Sequence, residues 1–458
     1  MRNSMDGIEK KIAAKVKEAG GSTYYVGGIV RDRLLEIDNK DVDIEVHGIT
    51  PEELMRVLNE CGEPLSFGQS FGIYSLRGEE IDIAMPRRER ASSGTGGEVR
   101  GHRDFEIEVD PFIGTYEAAR RRDFTINALM EDVLTGEIVD PFGGVEDLRA
   151  GIIRHIDEKT FIEDPLRVLR AAQFAARFGF TVAPETVTLC RSIDLSALSR
   201  ERIMEEMKKA LLKAEKPSVF FEVLRDMDQL DVWFPELRAL IGIEQDPVYH
   251  PEGDVWTHTM EVVDRAAQFR DKVSSPVAFM LLALTHDMGK TVTTEFVKGR
   301  IHAYGHEKEG LPIIEEFLRR LTNEQEIIKY VLNMVPLHMR PNMVSYSKPA
   351  LKSTNKLFDA AAEPGDLIYF ACADHPVYSG EEPFTGDNEF LSERLEAYRE
   401  TMAEPYVMGR DLIAAGLEEG EYIGELLEYA HKLRLAGIDK ETALKQVLAE
   451  ARKHKKLQ

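Results

Sequence analysis

Cysteine, long apolar runs and net positive charge are all scarce in this sequence. The three cysteines, Cys61, Cys190 and Cys372, lie far apart and are odd in number, which argues against a disulfide framework or a thiolate zinc site. No stretch approaches about 18 uninterrupted apolar residues, and residues 1–20 form a charged amphipathic pattern without the apolar core of a signal peptide. The sequence therefore predicts a cytoplasmic protein, in a reducing compartment, that has no membrane partner.

The charge balance is the one bulk property that argues against nucleic-acid binding. The 458 residues carry 58 Lys and Arg against 81 Asp and Glu, a formal net charge of −23, whereas contacts to phosphates need basic side chains. Basic residues are nevertheless concentrated, and the chain ends in a basic run at 451–456. The clustered arginines are Arg87, Arg88, Arg90, Arg100, Arg103, Arg120, Arg121 and Arg122. Local clusters within an acidic total predict a confined basic groove.

Residues 24–46 contain the pattern around which the rest of the chain is organised. An apolar run is followed by the pair Gly27-Gly28, by a segment with helical spacing, and by a second run in which Asp41 and Asp43 alternate with apolar residues. The simplest reading is strand, glycine turn, helix and strand. Alternate residues of a strand share one face, so Asp41 and Asp43 would lie side by side, where a divalent cation would relieve their repulsion.

The glycine turn predicts a place for phosphate. Glycine lets the backbone approach a ligand closely, and the free N–H groups at the start of the next helix favour an anion. Arg31, one turn into that helix, would add a bidentate phosphate contact. Metal carboxylates facing a phosphate cradle predict phosphoryl or nucleotidyl transfer, and the alternative is an acidic strand edge after an ordinary turn.

The pattern G-G-x-x-R-D followed by D-V-D resembles the first motif of the class II tRNA nucleotidyltransferases, a group with CCA-adding enzymes and bacterial poly(A) polymerases. The resemblance implies an α+β fold, in which a polymerase-β-like nucleotidyltransferase head with a small mixed sheet and helices precedes an all-α neck and body. It also implies that Asp41 and Asp43 are the catalytic ligands of two Mg²⁺ ions. Gly28 and Arg31 would hold phosphates of the nucleotide.

The residues after this segment predict a helix and a pair of strands. A helix over 51–61 would begin at Thr50, with Glu53 three residues later, as in a capping box. Paired strands are predicted over 70–75 and 80–84. The sheet of the head therefore extends beyond the organising segment.

Two features of the next stretch have open interpretations. Asp82, on the second of those strands, is either a third metal carboxylate or an edge-strand aspartate. Residues 86–110 lose all periodicity and are rich in Arg, Ser and Gly, which predicts a loop. Its arginines favour a substrate-contacting role over a tolerated surface insertion.

Residues 117–130 predict a helix in which Asp123 and Asn127, four positions apart, share a face. The alternative to a nucleotide-holding face is a solvated, ion-paired one. The segment resembles the family's second motif, R-R-x-D-x-x-x-N-A. The resemblance implies that Arg122 binds phosphate, that Asp123 binds the ribose, and that Asn127 contacts the base or sugar.

Residues 161–178 begin a helical region that is predicted to run to about residue 240. Apolar residues form a stripe on one side, and Asp164, Arg167 and Arg170 recur on the other. A capped helix with internal ion pairs is one explanation. The pattern E-D-x-x-R is similar to the family's base-selecting motif, which implies that Asp164 and Arg167 read the edges of C and A. Arg170 would support the same site.

A second chemistry begins near residue 245. Histidines and aspartates recur on separate predicted helices, as a divalent-metal hydrolase centre requires. Their order resembles the HD phosphohydrolase superfamily in the form with room for two metals, which implies an all-α HD domain and a divalent transition metal as candidate ion. The implied ligands are His258, His286, Asp287, His306, His338 and Asp374. The alternative is a structural HD fold that has lost its activity.

The combined patterns predict four parts, the last of which is a helical tail. The parts are a nucleotidyltransferase head at 1–150, a base-selecting and RNA-binding neck and body at 151–245, an HD domain at 246–380 and a helical tail at 381–458. In the tail, helices are predicted at 407–415 and 420–448, with no further chemistry.

The resemblances imply a tRNA nucleotidyltransferase that adds C, C and A to tRNA 3′ ends from CTP and ATP. Its HD centre would hydrolyse phosphate mono- or diesters such as 2′,3′-cyclic ends. A CC- or A-adding enzyme or a poly(A) polymerase is the nearest alternative. An HD metal phosphohydrolase with an RNA-binding head and a non-catalytic tRNA-binding protein are alternatives from other classes. The oligomeric state stays open.

Overall fold

A computed structural model of the chain describes residues 7–39, 41–66, 72–91, 105–375, 389–418 and 420–455. The described residues divide between two compact units, one within Met1–Ala210 and Val219–Trp233, the other within Leu211–Ser218 and Phe234–Gln458. The predicted division into four parts is finer than this and stays a prediction. Across the described ranges, no helix is long and apolar enough to cross a bilayer.

The first half of the chain combines strands with helices. The strands are β1 (Ser22–Val26), β2 (Val42–His47), β3 (Pro64–Ser66), β4 (Ile73–Leu76), β5 (Ile81–Ala84), β6 (Arg87–Ala91), β7 (Phe105–Val109), β8 (Met130–Asp132), β9 (Ile138–Val139), β10 (Ile152–Ile153) and β11 (Thr181–Val182). The helices are α1 (Ile8–Glu18), α2 (Gly28–Leu34), α3 (Pro51–Cys61), α4 (Thr115–Arg120), α5 (Gly144–Ala150), α6 (Glu158–Ile162), α7 (Leu166–Phe178), α8 (Pro184–Arg191), α9 (Arg200–Lys213) and α10 (Ser218–Asp226). This order confirms the predicted α+β head followed by a helical body.

The head is built on one mixed sheet with the strand order β3-β4-β5-β2-β1-β8-β9. Only the β2–β5 pair is parallel among these neighbours, and the other pairs are antiparallel. Ile44 of β2 and Ile83 of β5 are fully buried, and Ile12 and Val16 of α1 are buried with them in the core. The organising segment therefore supplies β2, the central strand, and its neighbour β1.

The predicted strand, glycine turn, helix and strand are all present. Gly27 follows β1 with a φ of +70°, a left-handed backbone conformation that costs other L-residues about 1–2 kcal/mol. The α3 helix begins with the predicted capping box, because the Glu53 N–H donates to Thr50 Oγ1 at 3.3 Å and the Thr50 N–H donates to Glu53 Oε2 at 3.0 Å. Short-range chemistry fixes both features.

The loop prediction for 86–110 is wrong at both ends. Arg87 and Val109 are antiparallel partners at the base of a two-stranded sheet formed by β6 and β7. Residues 92–104, which hold the rest of the predicted loop, lie outside the described residues.

The helix predicted over 117–130 is also wrong. Helix α4 ends at Arg120, and a 3₁₀ turn at Thr125–Asn127 leads into strand β8. Two tertiary contacts account for this, since the Thr125 N–H donates to Arg154 O at 2.9 Å and Met130 pairs with Val26 of β1. Strand pairing here outweighs the helical propensity of the segment.

The neck region is helical, as predicted, with one break. Helix α6 is capped by Asp157, whose Oδ1 accepts from the Thr160 N–H at 3.0 Å. Pro165 then precedes α7, which buries Leu169 and Phe174. Pro lacks an N–H and suits the start of a helix, so the predicted helical region divides at this point.

The second half of the chain is helical apart from one hairpin. Its helices are α11 (Pro235–Arg238), α12 (Val255–Ala266), α13 (Pro276–Thr285), α14 (Lys290–Thr293), α15 (His306–Glu309), α16 (Leu311–Leu321), α17 (Gln325–Met334), α18 (Arg340–Ser347), α19 (Leu351–Ala360), α20 (Pro364–Ala373), α21 (Glu389–Ala403), α22 (Gly409–Ala414), α23 (Glu421–Leu435) and α24 (Lys440–Lys455). Its strands are β12 (Glu295–Val297) and β13 (Arg300–His302). The hairpin is an addition to the predicted all-α HD domain.

Helix α13 is the centre of the second unit. Its residues from Ala278 to Thr285 are all buried, which is typical of a helix inside a bundle rather than on its surface. Because α13 has no exposed face, the histidine and aspartate that follow it lie deep in the unit.

The tail differs from its prediction in one place. The segment 420–448 was predicted as one amphipathic helix, but it forms α23 and most of α24. Gly437 lies between them with a φ of +77°, which ends a helix in the left-handed conformation. Leu426 and Val447 then pack in a common apolar cluster.

Candidate functional sites

Three carboxylates of the head lie together around the start of β2. Asp43 is in register with Asp82 of the parallel strand β5, and Asp41 stands two residues before Asp43. Burial raises the pKa of Asp43, and the charges of Asp82 and Asp41 raise it further. Because a divalent cation would offset this repulsion, the donor set fits a metal bound through oxygen ligands. The position of Asp82 favours the interpretation as a third metal carboxylate, which stays a prediction.

An asparagine that sequence reasoning missed holds the first of these carboxylates in place. Asn39 Nδ2 donates to Asp32 Oδ2 at 2.8 Å, and Asn39 Oδ1 accepts from the Asp41 N–H at 2.9 Å. The N-x-D spacing is the signal that was available, since asparagine side chains commonly bond the backbone two residues later. Helix α2 and the metal carboxylates are thereby linked.

The glycine turn adjoins Arg122, as the phosphate prediction requires. A Cβ added at Gly27 would lie 3.2 Å from Arg122 Nη1. Among the described residues, Arg122 makes only long hydrogen bonds, 3.5 Å from Nη2 to Glu45 Oε2 and 3.5 Å from Nη1 to Asn127 O. A guanidinium with such loose partners beside a glycine backbone has donors available for an anion.

The contacts of Arg31 differ from the predicted phosphate contact. Arg31 is buried, its Nε donates to Asp32 Oδ1 at 2.8 Å, and its Nη1 donates to Asn127 Oδ1 at 2.6 Å. The guanidinium also lies over the rings of Phe174 and Phe178, at 5.1 and 4.7 Å from their centroids. Burial lowers the pKa of Arg31. The geometry supports a positioning role, and direct phosphate contact by Arg31 or Gly28 stays a prediction.

Asp123 joins the predicted nucleotide-holding residues into one buried network. Its Oδ1 accepts from Asn127 Nδ2 at 2.9 Å and its Oδ2 accepts from Arg170 Nε at 2.7 Å. Burial would raise the pKa of Asp123, but Arg170 and Asn127 hold it below its usual value. Although the predicted helix does not exist, Asp123, Asn127 and Arg170 do lie together.

Asp164 and Arg167 each hydrogen-bond to other groups of the protein, and their partners differ. Arg167 Nη1 donates to Thr160 O at 2.6 Å and Arg167 Nη2 donates to Arg121 O at 2.8 Å. Asp164 accepts from Arg202 Nη2, which lies 3.0 Å from both carboxylate oxygens. Arg202 lies 38 residues away on α9, and no local sequence pattern predicted its contact with Asp164. Base reading by Asp164 and Arg167 stays a prediction.

The six predicted HD ligands converge in the second unit. His258 Nε2 lies 3.1 Å from Asp374 Oδ1, and His286 Nε2 lies 3.4 Å from the same oxygen. On the other side, His306 Nε2 lies 3.1 Å from Asp287 Oδ1 and 3.4 Å from His338 Nε2. These separations are those of ligands placed about 2.1 Å from a common ion. The cluster divides into His258–His286–Asp287 and Asp287–His306–His338.

Asp287 lies between the two halves of this centre. Its Oδ1 faces His306, and its Oδ2 lies 3.3 Å from His286 Nε2 and 3.6 Å from His258 Nε2. Lys290 Nζ lies 2.7 Å from the same Oδ2 and forms a buried ion pair with it. The donor set therefore fits two divalent cations that share Asp287.

All four imidazoles present the same nitrogen to the centre. His286 Nδ1, His306 Nδ1 and His338 Nδ1 lie 2.9, 2.8 and 2.7 Å from backbone carbonyl oxygens three residues earlier. A carbonyl only accepts, so Nδ1 carries the proton and each Nε2 has a lone pair for a metal. His258 Nδ1 lies 2.6 Å from Glu252 Oε1 instead.

Glu252 is the main HD residue that the sequence did not predict. It contacts His258, and its Oε1 also lies 3.0 Å from His250 Nδ1. Burial would raise the pKa of Glu252, but the two imidazoles keep it far below its usual value. The H-P-E-G run at residues 250–253 did not predict this role. A carboxylate that hydrogen-bonds a metal ligand has no fixed sequence spacing from that ligand.

The electrostatics of the centre favour cations. Burial would lower the pKa of His286, but the carboxylates of Asp287 and Asp374 raise it to about 10. Burial lowers the pKa of His338 to about 4. The two buried carboxylates give the centre a strong negative potential, which metal ions would neutralise.

Two glycines bring the two halves of the centre together. A Cβ on Gly289 would lie 2.0 Å from His306 O, and a Cβ on Gly310 would lie 2.8 Å from the Gly289 Cα. The backbone at the start of α14 therefore packs directly on α15. This contact sets the distance between Asp287 and His306.

Gly289→Ala is expected to destabilise the second unit by at least about 3 kcal/mol, because the added methyl would overlap a backbone carbonyl that cannot rotate away. Gly424→Ala is the matched control, since that helical glycine has no atom within 4 Å of its Cβ position and alanine should stabilise α23 by about 0.5–1 kcal/mol. Urea unfolding followed by circular dichroism measures both. Equal stability of the two variants would contradict the packing argument.

Comparisons with known proteins match three parts of the chain to families. Residues 23–154 match the poly A polymerase head domain, residues 179–241 match the probable RNA and SrmB-binding site of polymerase A, and residues 255–371 match the HD domain. A protein of Nitrosococcus oceani named multifunctional CCA protein is 36% identical over 416 residues, which are 88% of this chain and 95% of that protein.

Two solved structures show the same fold. The Bacillus stearothermophilus CCA-adding enzyme in complex with CTP has a TM-score of 0.67 and 21% identity, and covers 99% of this chain and 100% of its own. The Thermotoga maritima CCA-adding enzyme complexed with tRNA-CCA has a TM-score of 0.62 and 22% identity, and covers 96% of this chain and 94% of its own.

Proposed function

We propose, from the premise that this chain belongs to the family of multifunctional CCA proteins, that it is a nucleotidyltransferase that adds C, C and A to tRNA 3′ ends from CTP and ATP. A phosphohydrolase activity of the HD centre would accompany this. The observation that carries the first activity is the register of Asp43 with Asp82, beside a glycine turn and Arg122. This arrangement provides metal carboxylates and a phosphate cradle in one place.

In this proposal, Asp41 and Asp43 bind two Mg²⁺ ions and Asp82 completes the set. When bound, such ions would polarise the tRNA 3′ hydroxyl and offset the charge of the triphosphate. Asn39 fixes the Asp41 backbone. Gly28 and the Gly27 backbone let the triphosphate approach, where Arg122 donates to its oxygens.

The nucleotide itself would be held by the network around Asp123. Asp123 and Asn127 face the sugar, and Arg170 keeps Asp123 ionised. Arg31 sets the position of Asn127. Base selection requires both side chains to leave a present partner. Asp164 would exchange Arg202, and Arg167 would exchange the Thr160 carbonyl, for the edges of C and A.

The HD centre supports hydrolysis of phosphate mono- or diesters. Five of its six candidate ligands, all except His286, line a cavity of about 330 Å³ together with Lys290, and a divalent transition metal pair would activate water there against a phosphoryl group. Lys290, 2.7 Å from Asp287 Oδ2, would face the phosphate oxygens. Substrates such as 2′,3′-cyclic tRNA ends would connect this activity to the first, in the cytoplasm where tRNA is matured.

The decisive experiment uses tRNA transcripts that end before CCA, after CC, or with CCA intact. Each is incubated with Mg²⁺ and with CTP, ATP or both, and the products are sized at single-nucleotide resolution. Growth by three nucleotides with both triphosphates, followed by a stop, is expected. Growth by two or by one would indicate a CC- or A-adding enzyme, and an unlimited ladder of A would indicate a poly(A) polymerase.

A further inference from the structure

A second cavity adjoins the cavity of the HD centre. We call it the compartment, and its far end has no metal ligands among the described residues. The compartment has a volume of about 440 Å³, within the range of about 300–1,000 Å³ for small-molecule sites. It shares Tyr249, His250, Lys290 and His306 with the cavity of the metal centre. A substrate whose phosphate lies at the metals would therefore extend into this compartment.

An aromatic platform stands on the wall of the compartment. Tyr304 is 70% exposed, and its ring stacks on His302 with centroids 4.7 Å apart and planes at 12°. Because His302 stacks on one face of the Tyr304 ring, the other face is available to stack on a flat partner. His302 ends the β12–β13 hairpin, and Tyr304 stands two residues before the metal ligand His306. The platform is thus rigidly connected to the metal centre.

The same wall presents carboxylates as acceptors, and Lys290, which also lines the compartment, is already paired with Asp287 and Gln245. Glu244, Asp246 and Glu307 line the compartment, and Glu307 Oε2 is buried without a hydrogen-bond partner among the residues that the structure describes. An unpaired buried oxygen is costly, so a ligand that brings an N–H donor would be favoured here. These carboxylates disfavour a second phosphate in the compartment.

We propose that this compartment binds the nucleobase of the HD substrate, with Tyr304 as its stacking platform and the carboxylates as acceptors for the base N–H groups. The inference rests on the proposed phosphohydrolase activity and assigns a specificity-determining residue to that same site. Bases with an exocyclic amine are favoured over uracil, because cytosine and adenine donate where uracil O4 only accepts.

The test compares KM and kcat for two matched substrates, cytidine and uridine 2′,3′-cyclic phosphate, and for a base-free ribose phosphate. Loss of a stacking platform costs about 1–3 kcal/mol per base, or about fivefold or more in affinity. Tyr304→Ala should raise KM for the cytidine substrate at least about fivefold more than KM for the base-free one, with little change in kcat. Tyr304→Phe should restore the wild-type KM.

The controls separate this inference from the activity on which it rests. Tyr346→Ala removes another exposed tyrosine, 94% exposed and outside the compartment, and should leave KM unchanged. Equal effects of Tyr304→Ala on all substrates, or equal kcat/KM for cytidine and uridine substrates in the wild type, would overturn the base compartment. If the wild-type protein hydrolyses none of the substrates with any divalent metal, the phosphohydrolase proposal itself fails.

Discussion

Asp43→Ala is expected to reduce nucleotide addition to tRNA by at least about 1,000-fold while the HD hydrolase persists. Loss of one electrostatic contact to a transition state costs about 10²–10³-fold, and Asp43 would serve both metal ions. The variant should fold, because it removes a half-buried carboxylate that Asp82 and Asp41 repel. Single-turnover addition of CMP to a tRNA that lacks CCA, with Mg²⁺ in excess, measures the loss.

The reciprocal variant makes this prediction specific. His286→Ala removes a ligand of the HD centre in the other compact unit, and it should abolish phosphate hydrolysis and leave CMP addition within about twofold. Thermal unfolding of both variants shows that they are folded. Loss of both activities in Asp43→Ala would contradict two independent sites, and full retention of addition would place the catalytic metals elsewhere.

Local sequence patterns predicted the parts of the head that depend on near neighbours. The capping box at Thr50 and the strand, glycine turn, helix and strand of residues 24–46 need only contacts within a few residues. The proximity of Asp41 and Asp43 follows from strand alternation, and register alone was needed to bring Asp82 beside Asp43. That register is set by the whole sheet, which explains why the sequence left Asp82 open.

The misses have a common physical cause, which is long-range contact. Residues 121–130 form no helix because Thr125 bonds Arg154 and Met130 pairs with β1. Arg31 matches a phosphate-binding pattern, yet the rings of Phe174 and Phe178 and the Asn127 amide hold it inside the protein. Neither effect leaves a trace in local periodicity.

The HD centre shows the same division between ligands and their supports. The six ligands were predicted by residue type and order, and the structure brings all of them together. Glu252, behind His258, and the contact of Gly289 with the His306 carbonyl were not predicted. The positions of supporting residues depend on tertiary contacts, so their spacing in the sequence follows no pattern.

Asp287→Asn is expected to be the most damaging single change in the HD centre. Its carboxylate reaches both halves, with Oδ1 at 3.1 Å from His306 Nε2 and Oδ2 at 3.3 Å from His286 Nε2. Loss of a supporting residue behind a metal ligand typically costs about 10–100-fold. Loss of a ligand shared by two ions should therefore lower hydrolysis by at least about 100-fold.

Metal content distinguishes the shared-ligand argument from a general loss of structure. His258→Ala and His306→Ala each remove a ligand from one half only, so each should lower the bound metal by about one ion per chain, measured by elemental analysis after dialysis. Asp287→Asn should lower it by about two, and the exposed Asp271→Asn should lower it by none. If Asp287→Asn loses no more metal than His306→Ala, the aspartate serves a single ion. If the wild-type protein itself binds one ion per chain, the centre works as a one-metal hydrolase in which Lys290, 2.7 Å from Asp287 Oδ2, supplies the second positive charge.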